Sequence, residues 1–548
     1  MCGIVVLWGA AAQPHQLDDS LKALSPRGPD IASDELLGQM DPPVAVGFTR
    51  LHIQGTKGGA EQPFRSPQRL VMCNGEIFNS EILIHQLDLQ VPVGSSDCAV
   101  IPALLDRGMP LAEVARQLDG DFAIVVIELQ SGSVQVARDP YGVRPMFWAA
   151  GTDWAGLASE LKGLPAGAER VAAIPPGTVM DFSLQDPFHT WPEPTIWHQI
   201  PWLKTPYWRA SLEGFTAGGE ALRHALEEAV AKRLHTVRAV GACLSGGLDS
   251  SLVAAIAAGR LARQGKPRLH TYSVGMEGSP DLAHARLVAE HIGSIHHEHI
   301  LTPEECLAVI PEVVRAIESF DITTVRASVG NYLVAKLVRY ETPDVKVVLN
   351  GDGADEVLGG YLYMRAAPDD AAFEAETDRL LREIHRYDVL RSERSMAAHG
   401  LESRSPFLDR QFVAVARGLP TEALRPNDGI EKAILRTAFE ATGLLPPAVL
   451  WRRKEAFSDG ISRAERSWFE MAREEGSRRA GGAWREKAAR YSVNPPPTAE
   501  ALWYRELFHE SFPEAAAAAA APAMWMPRFV QGATDPSART LALYTRSE

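Results

Sequence analysis

Apolar residues in the first part of the chain fall in short runs that alternate with polar ones or stay unbroken for four to eight positions. GIVVLWGA, VAVGFTRLHI, RLVMCNGEIFN, DFAIVVIEL and VQVARDPYGV are such runs, and Gly, Pro and Asp separate them. This pattern predicts short strands joined by turns, with one helix between them over Asp97–Asp106. Stacked antiparallel sheets flanked by helices follow as the expected arrangement. Residues 186–216 break the pattern, because FHTWPEPTIWHQIPWLKTPYW is rich in Pro and Trp and keeps no period, which predicts a domain connection. From Ala217 the spacing becomes helical in GGEALRHALEEAVAKRLHT. A strand (AVGACL), the loop SGGLDSS and a helix (SLVAAIAAGRLA) follow, then the strands RLHTYSVGM and VKVVLN, the latter running into GDGADE. Strands alternating with helices predict a parallel sheet wrapped by helices. The stretch from Ala367 to Phe512 reads as mostly helical, PEAAAAAAAPA reads as a short helix or a connector, and no solenoid-period repeat is present. The expectation is a two-domain α/β chain, with domains at 1–185 and 217–548 and a linker at 186–216.

Length and composition agree. A chain of 548 residues is too long for one core, and 46% hydrophobic with 23% charged residues suits a folded protein. A net charge of -14 argues against a general nucleic-acid binder, since phosphate attraction needs a basic surface. The five cysteines are scattered and form no CxxC pair, which argues against a disulfide framework or a zinc site. No run approaches the ~20 apolar residues of a membrane span. The start, MCGIVVLWGA, lacks a basic n-region and a cleavage pattern, so it reads as a first strand and a cytoplasmic location is expected.

Cys2 follows Met1. Its small side chain makes removal of Met1 chemically easy, and that would leave a thiol beside a free amine whose ordinary pKa is ~8, able to act as its own general base. Such a thiolate attacks an amide carbonyl and releases ammonia. Alone, Cys2 reads equally as a small residue opening a strand. RGPD (Arg27 to Asp30), Arg50 in FTRLHI, Asn74, Gly75 and Glu76 in CNGEIFN, and Asp97 in SSDC follow it in order. Residues 2 to 185 thereby resemble the N-terminal-nucleophile glutamine amidohydrolase domain. The resemblance implies that Arg50 clamps the glutamine carboxylate, that Glu76 and Asp97 take its ammonium, and that the Asn74 amide and Gly75 N–H form an oxyanion hole. Singly, Arg50 reads as an ion pair, Asp97 as a helix cap and Asn74-Gly75-Glu76 as a turn. One departure from the family is Pro26, where its members often have His before RGPD.

SGGLDSS (Ser245 to Ser251) lies between an apolar strand and an Ala-rich helix. Small residues there let backbone N–H groups approach a phosphate, and the helix adds the positive end of its dipole. There is no Lys of the GxxxxGK[ST] kind. The loop resembles that of the ATP pyrophosphatase family, which splits ATP between the α and β phosphates and transfers AMP. The resemblance implies ATP contacts from Leu244, Ser245, Gly246, Gly247, Asp249, Ser250, Ser251, Val274 and Gly351. A second loop, NGDGADEVLGGY (Asn350 to Tyr361), adds carboxylates. Asp249 and Asp355 are expected Mg²⁺ ligands, directly or through water, because Mg²⁺ favours few carboxylates plus phosphate oxygens. Asp352 stands where the family often has Glu, one methylene longer.

Further stretches occur in order: GSPDLAHA, HIGSIHHE, FDITTVRAS, HGLESRSPFLD, EKAILR, WRRKEAFSDG and DPSART. With them the resemblance extends over nearly the whole chain to the glutamine-hydrolysing asparagine synthetases. It implies glutamine, aspartate and ATP as substrates, with Thr323, Thr324, Arg326 and Asp352 near the acceptor and Lys454 neutralising phosphate or tetrahedral-intermediate charge. Plainer readings are a helix start for the threonines and a surface lysine for Lys454. His296 and His297 are adjacent and are read as structural, not as a metal pair. Ammonia must arrive unprotonated, so the resemblance also implies an enclosed passage between the domains. Two alternatives stay open: a related amidotransferase acting on another carboxylate, and a protein that keeps the fold for binding or regulation. A homodimer is neither required nor excluded.

Overall fold

The computed structural model describes residues 1–55, 60–186, 188, 190–200, 212–426, 430–453, 462, 467–530, 532 and 535–537. The strands of the first half are β1 (Gly3–Gly9), β2 (Ile31–Leu37), β3 (Val44–Arg50), β4 (Phe64–Arg65), β5 (Arg69–Ile77) and β6 (Gly120–Glu128). They continue as β7 (Ser133–Arg138), β8 (Phe147–Ala150), β9 (Trp154–Ala158), β10 (Arg170–Ala173), β11 (Thr178–Ser183) and β12 (Thr195–Ile196). They form two six-stranded sheets, ordered β10-β8-β9-β1-β3-β2 and β12-β11-β7-β6-β5-β4. Their paired strands run antiparallel.

Strand parity builds the layers. Ile4, Val6 and Trp8 of β1, Val44, Val46 and Phe48 of β3, and Leu70 and Met72 of β5 share one core with Ala123, Val125 and Ile127 of β6. That core is the layer between the two sheets, since successive side chains of a strand face opposite ways. The opposite parity faces outward under helices. Val5 and Leu7 pack on the helix Pro14–Leu24, while Val71, Phe122, Ile124 and Val126 pack on the helices Ser80–Leu87, Val100–Leu105 and Leu111–Gln117. The same parity, continued to the strand ends, puts Cys2, Arg50, Asn74 and Glu76 at one mouth of the inter-sheet layer. The expected helix over Asp97–Asp106 is a 3₁₀ turn, Asp97–Ala99, running into the helix Val100–Leu105. The helix Pro14–Leu24 and the strands β2 and β8–β11 were not foreseen. In β2 only Leu37 is fully buried, so no alternation of apolar and polar positions marks that strand.

In the second half, β13 (Ala239–Cys243), β14 (His270–Met276), β15 (Ile295–Leu301), β16 (Val345–Leu349) and β17 (Glu402–Arg404) form one parallel sheet, ordered β15-β14-β13-β16-β17. The chain builds β13, β14 and β15 outward on one side, then returns to place β16 on the other side of β13. Open α/β sheets bind ligands at this kind of switch point, beyond the carboxyl ends of the strands. The loops after β13 and β16 meet there. Within the stretch 186–216, Thr195–Ile196 pairs with β11 and so belongs to the first half's sheet. The alanine run forms the helix Ala515–Ala520, with Ala517 and Ala518 buried. His296 and His297 lie on β15, bonded to Thr271 and His270. Among the described residues no helix is long and apolar enough to cross a membrane.

The halves meet through buried charge. Arg27 pairs with Glu160 of its own half and Glu393 of the other, both at 2.5 Å. Lys162 reaches Glu318 (3.4 Å), and Arg394 pairs with Glu318. Glu318 also accepts the Leu161 and Lys162 N–H groups at 2.8 Å, from a backbone φ of 56°.

Gly246 turns the loop after β13 at φ +71°, and a Cβ there would sit 2.6 Å from the Ala285 nitrogen and 2.8 Å from the Asp281 carbonyl oxygen. Backbone crowding and a left-handed φ both oppose a side chain. Gly246→Ala is expected to cost about 1–3 kcal/mol, read as a lower thermal midpoint. An unchanged midpoint contradicts the packing described.

Candidate active sites

Two pockets carry chemistry. The first lies at the mouth of the antiparallel sandwich. The Cys2 backbone N–H donates to Asn74 Oδ1 at 2.9 Å, and Arg27 Nε donates to the Cys2 carbonyl at 2.8 Å. The residue carrying the thiol is thus held at both ends. Asn74 is fully buried, and its Nδ2 has no hydrogen-bond partner among the described residues. Arg50 is also buried; its Nη2 donates to the Gln54 carbonyl at 2.9 Å, while its Nη1 has no partner among the described residues. Buried donors without acceptors cost about 1–3 kcal/mol each, so two beside one thiol point to an absent acceptor. Gly75 fits only as glycine, because a Cβ would lie 2.3 Å from the Asp121 carbonyl oxygen.

Electrostatics follow from burial. Burial raises the Cys2 thiol pKa, which the charges of the chain-end ammonium and Arg50 and a Leu51 N–H bond partly offset. Burial lowers the Met1 ammonium to about 6. Glu76 and Asp97 lie close enough to repel. Burial first, then Asp97, pushes Glu76 well above the usual carboxylate range, and burial raises Asp97 to about 6 although it accepts the Ile77 N–H at 2.5 Å. A cation between them would offset that cost. Arg404, from the parallel half, lies 3.0 Å from Glu76.

The second pocket is a cavity of about 250 Å³ at the switch point of the parallel sheet. Leu244, Ser245, Gly247, Asp249, Ser250, Val274 and Gly351 line it. Gly246 makes the turn behind it, and Ser251 is wholly buried in the helix Leu248–Arg263, so neither lines the cavity. Ser245 and Ser250 hydroxyls are bonded at 3.0 Å, and the Gly247 N–H reaches Ser245 Oγ at 3.3 Å. Gly247 caps the helix, whose N-terminus faces the cavity. A Cβ on Gly351 would fall 2.8 Å from the Ser250 nitrogen, so the second loop lies directly on the first.

Asp249 and Asp355 converge on one positive group. The ammonium of Lys432 lies between them, at 2.6 Å from each. Lys432 is buried, with a strained backbone φ of 54°. Asp352 is raised by burial and pairs with Arg391 at 3.3 Å; its Oδ2 has no partner among the described residues. Arg391 also bonds Asp388 at 2.6 Å and Asn331 at 3.2 Å.

The acceptor residues divide. Thr323 and Thr324 line the cavity, Thr323 Oγ1 has no partner among the described residues, and Thr324 donates to its helix cap Asp321. Arg326 is a correction. Its guanidinium makes four bonds to the carboxylates of Glu500 and Asp535, at 2.6–3.0 Å, and does not line the cavity. Both partners come from distant sequence, so no local signal showed the pairing. Lys454 lies outside the described residues. Lys432, Arg391, Arg27 and Arg404 were given no role from sequence, although EKAILR, RGPD and HGLESRSPFLD contain three of them.

The chain matches the family described as asparagine synthase over residues 221–376 and 365–531, and the glutamine amidotransferase domain over residues 1–212. It is similar to the asparagine synthetase [glutamine-hydrolyzing] of Gallus gallus, 39% identical over 567 residues. Those of Bos taurus and Rattus norvegicus are 38% identical over 569 and 573 residues. Each alignment covers 99% of this chain and 99% of the relative.

Asn74→Ala removes both the anchor of the Cys2 nitrogen and the unpartnered donor. Glutamine hydrolysis should fall about 10²–10³-fold in kcat, measured as glutamate release. A loss below about threefold contradicts an oxyanion role.

Proposed function

The chain belongs to the family of glutamine-hydrolysing asparagine synthetases, and we propose how its two pockets share that reaction. The overall reaction is glutamine-dependent synthesis of asparagine from aspartate and ATP. The observation that carries the division is the pair of buried donors, Arg50 Nη1 and Asn74 Nδ2, that have no partner among the described residues, beside the Cys2 thiol.

In our reading, cleavage of the Met1–Cys2 bond frees an amine that takes the thiol proton. The thiolate attacks the glutamine amide carbon, and Asn74 Nδ2 and the Gly75 N–H receive the oxyanion; the amine then passes its proton to the departing nitrogen, ammonia leaves, and water hydrolyses the thioester to glutamate. Arg50 holds the substrate carboxylate, and Glu76 with Asp97 holds its ammonium. Asn74 Oδ1 keeps the Cys2 nitrogen in place throughout.

In the second pocket the aspartate β-carboxylate attacks the α-phosphate of ATP, and pyrophosphate leaves. Activation is needed because an ionised carboxylate is a poor electrophile. Ser245, Gly247 and Ser250 at the helix N-terminus suit the phosphates. The convergence of Asp249 and Asp355 on one ammonium fits a divalent cation, which would supply phosphate charge neutralisation when bound. Lys432 then serves the same carboxylates or the phosphates. Thr323 and Arg391 are our candidates for the acceptor, in place of Arg326, and Asp352 for positioning ammonia or the adenylate. Lys454 keeps its proposed role at the phosphates.

Ammonia has to cross between the pockets without meeting a proton. One apolar cluster contains Phe147 and Leu161 from the first half and Val329, Val348, Met396 and Leu401 from the second, and supports an interior route. We set the domain boundary between Ile196 and the helix Leu212–Lys232. The five free thiols suit a reducing cytoplasm.

Cys2→Ala is the test. Glutamine-driven asparagine formation should vanish, whereas synthesis from added ammonia should continue, both read by pyrophosphate release and product mass. Glutamine-driven synthesis persisting in that variant would overturn the assignment.

A further inference from the structure

Arg404 closes β17 and is wholly buried. Its own half holds it on two sides: Nε donates to Glu402 at 2.8 Å, and Nη1 donates to the carbonyls of Arg233 and His235 at 2.9 and 3.0 Å. The remaining edge points into the glutamine pocket, with Nη2 3.0 Å from Glu76 Oε2. The neighbouring residues on the strand turn the other way. Asn350, which lines the nucleotide cavity, donates to Ser403 Oγ at 2.7 Å and accepts from Ser405 Oγ at 2.8 Å. The residue that meets Glu76 is therefore seated by the same strand that seats the nucleotide loop.

We propose that Arg404 is a positioning residue for glutamine: its guanidinium stands against Glu76 and holds that carboxylate in place, so that Glu76 and Asp97 together receive the substrate ammonium. The inference rests on the reading of those two carboxylates as the ammonium site.

The charges around Glu76 explain the need. Asp97 on the 3₁₀ turn and Glu402 on β17 raise it; Arg404 on β17 and Arg144 after β7 lower it. Asp121 stands opposite on β6, beside Arg233, and Cys98 adjoins Asp97. Burial already raises both carboxylates, with Asp97 at about 6. The guanidinium opposes that rise, and without it Glu76 would be raised further. A proton competes with an ammonium for the same oxygens, so glutamine binding would weaken as pH falls. Because Arg404 belongs to the parallel half, glutamine affinity becomes a property of the two halves together.

The experiment compares Arg404→Gln, Arg404→Lys and Glu76→Gln in the full-length enzyme. It measures glutaminase kcat and KM from about pH 8 to about pH 6, with ammonia-dependent synthesis alongside. Arg404→Gln should raise the glutamine KM about tenfold and steepen its rise toward low pH. Its kcat should stay within about twofold and its ammonia-dependent synthesis should be kept. Arg404→Lys should recover most of the affinity, and Glu76→Gln should also raise KM. If Glu76→Gln raises KM while Arg404→Gln leaves KM and its pH profile unchanged, the positioning role is overturned and the ammonium site stands. If Glu76→Gln leaves KM unchanged, the ammonium site fails and the inference with it. Parallel loss of ammonia-dependent synthesis in both Arg404 variants would mark a residue of the scaffold only, and would overturn the proposal.

Discussion

Arg27, Glu160 and Lys162 of the antiparallel half meet Glu318, Glu393 and Arg394 of the parallel half in a nearly dry seam. Three positive and three negative groups balance, which is the condition for tolerating so much buried charge. Desolvating each ion costs several kcal/mol, and removing one partner leaves another uncompensated. The seam therefore fixes geometry more than it adds stability. Arg27 also donates to the Cys2 carbonyl, so Cys2 is positioned by a group whose own partner, Glu393, belongs to the other half.

The same economy recurs around the second pocket. The helix Asp388–Ala397 carries Asp388 and Arg391 into the cavity, Glu393 and Arg394 into the seam, and Met396 into the apolar cluster that contains Phe147 and Leu161. β17 does likewise over three residues. Two short elements thus touch both chemistries. The interior ammonia transfer we propose would require this closeness, because a gap admitting water would convert ammonia into an ammonium ion without a lone pair.

Much of this was legible in the chain. Period-two runs gave the sheets, and their parity carries Cys2, Arg50, Asn74 and Glu76 to one mouth once the strands are registered. SGGLDSS after a buried strand marked the phosphate-type loop through glycine, hydroxyl and helix-start chemistry. Arg326 shows the limit. Beside two threonines it reads as a carboxylate binder, yet Glu500 and Asp535 neutralise it from far along the chain. Lys432 shows the converse, since one lysine before a helix says nothing until folding sets Asp249 and Asp355 around it. Arg404 was invisible for a third reason: its partner Glu76 lies in the other half, and only docking brings the two together.

The central claim is that nitrogen freed at Cys2 travels through the interior to an activated aspartate. The most direct measurement supplies glutamine labelled with ¹⁵N in its side-chain amide, together with an excess of unlabelled ammonium, and reads the isotope in asparagine by mass. Interior transfer predicts asparagine carrying the glutamine label with little dilution. Label diluted to the proportion in bulk ammonium would contradict it, because the nitrogen would then have passed through solvent.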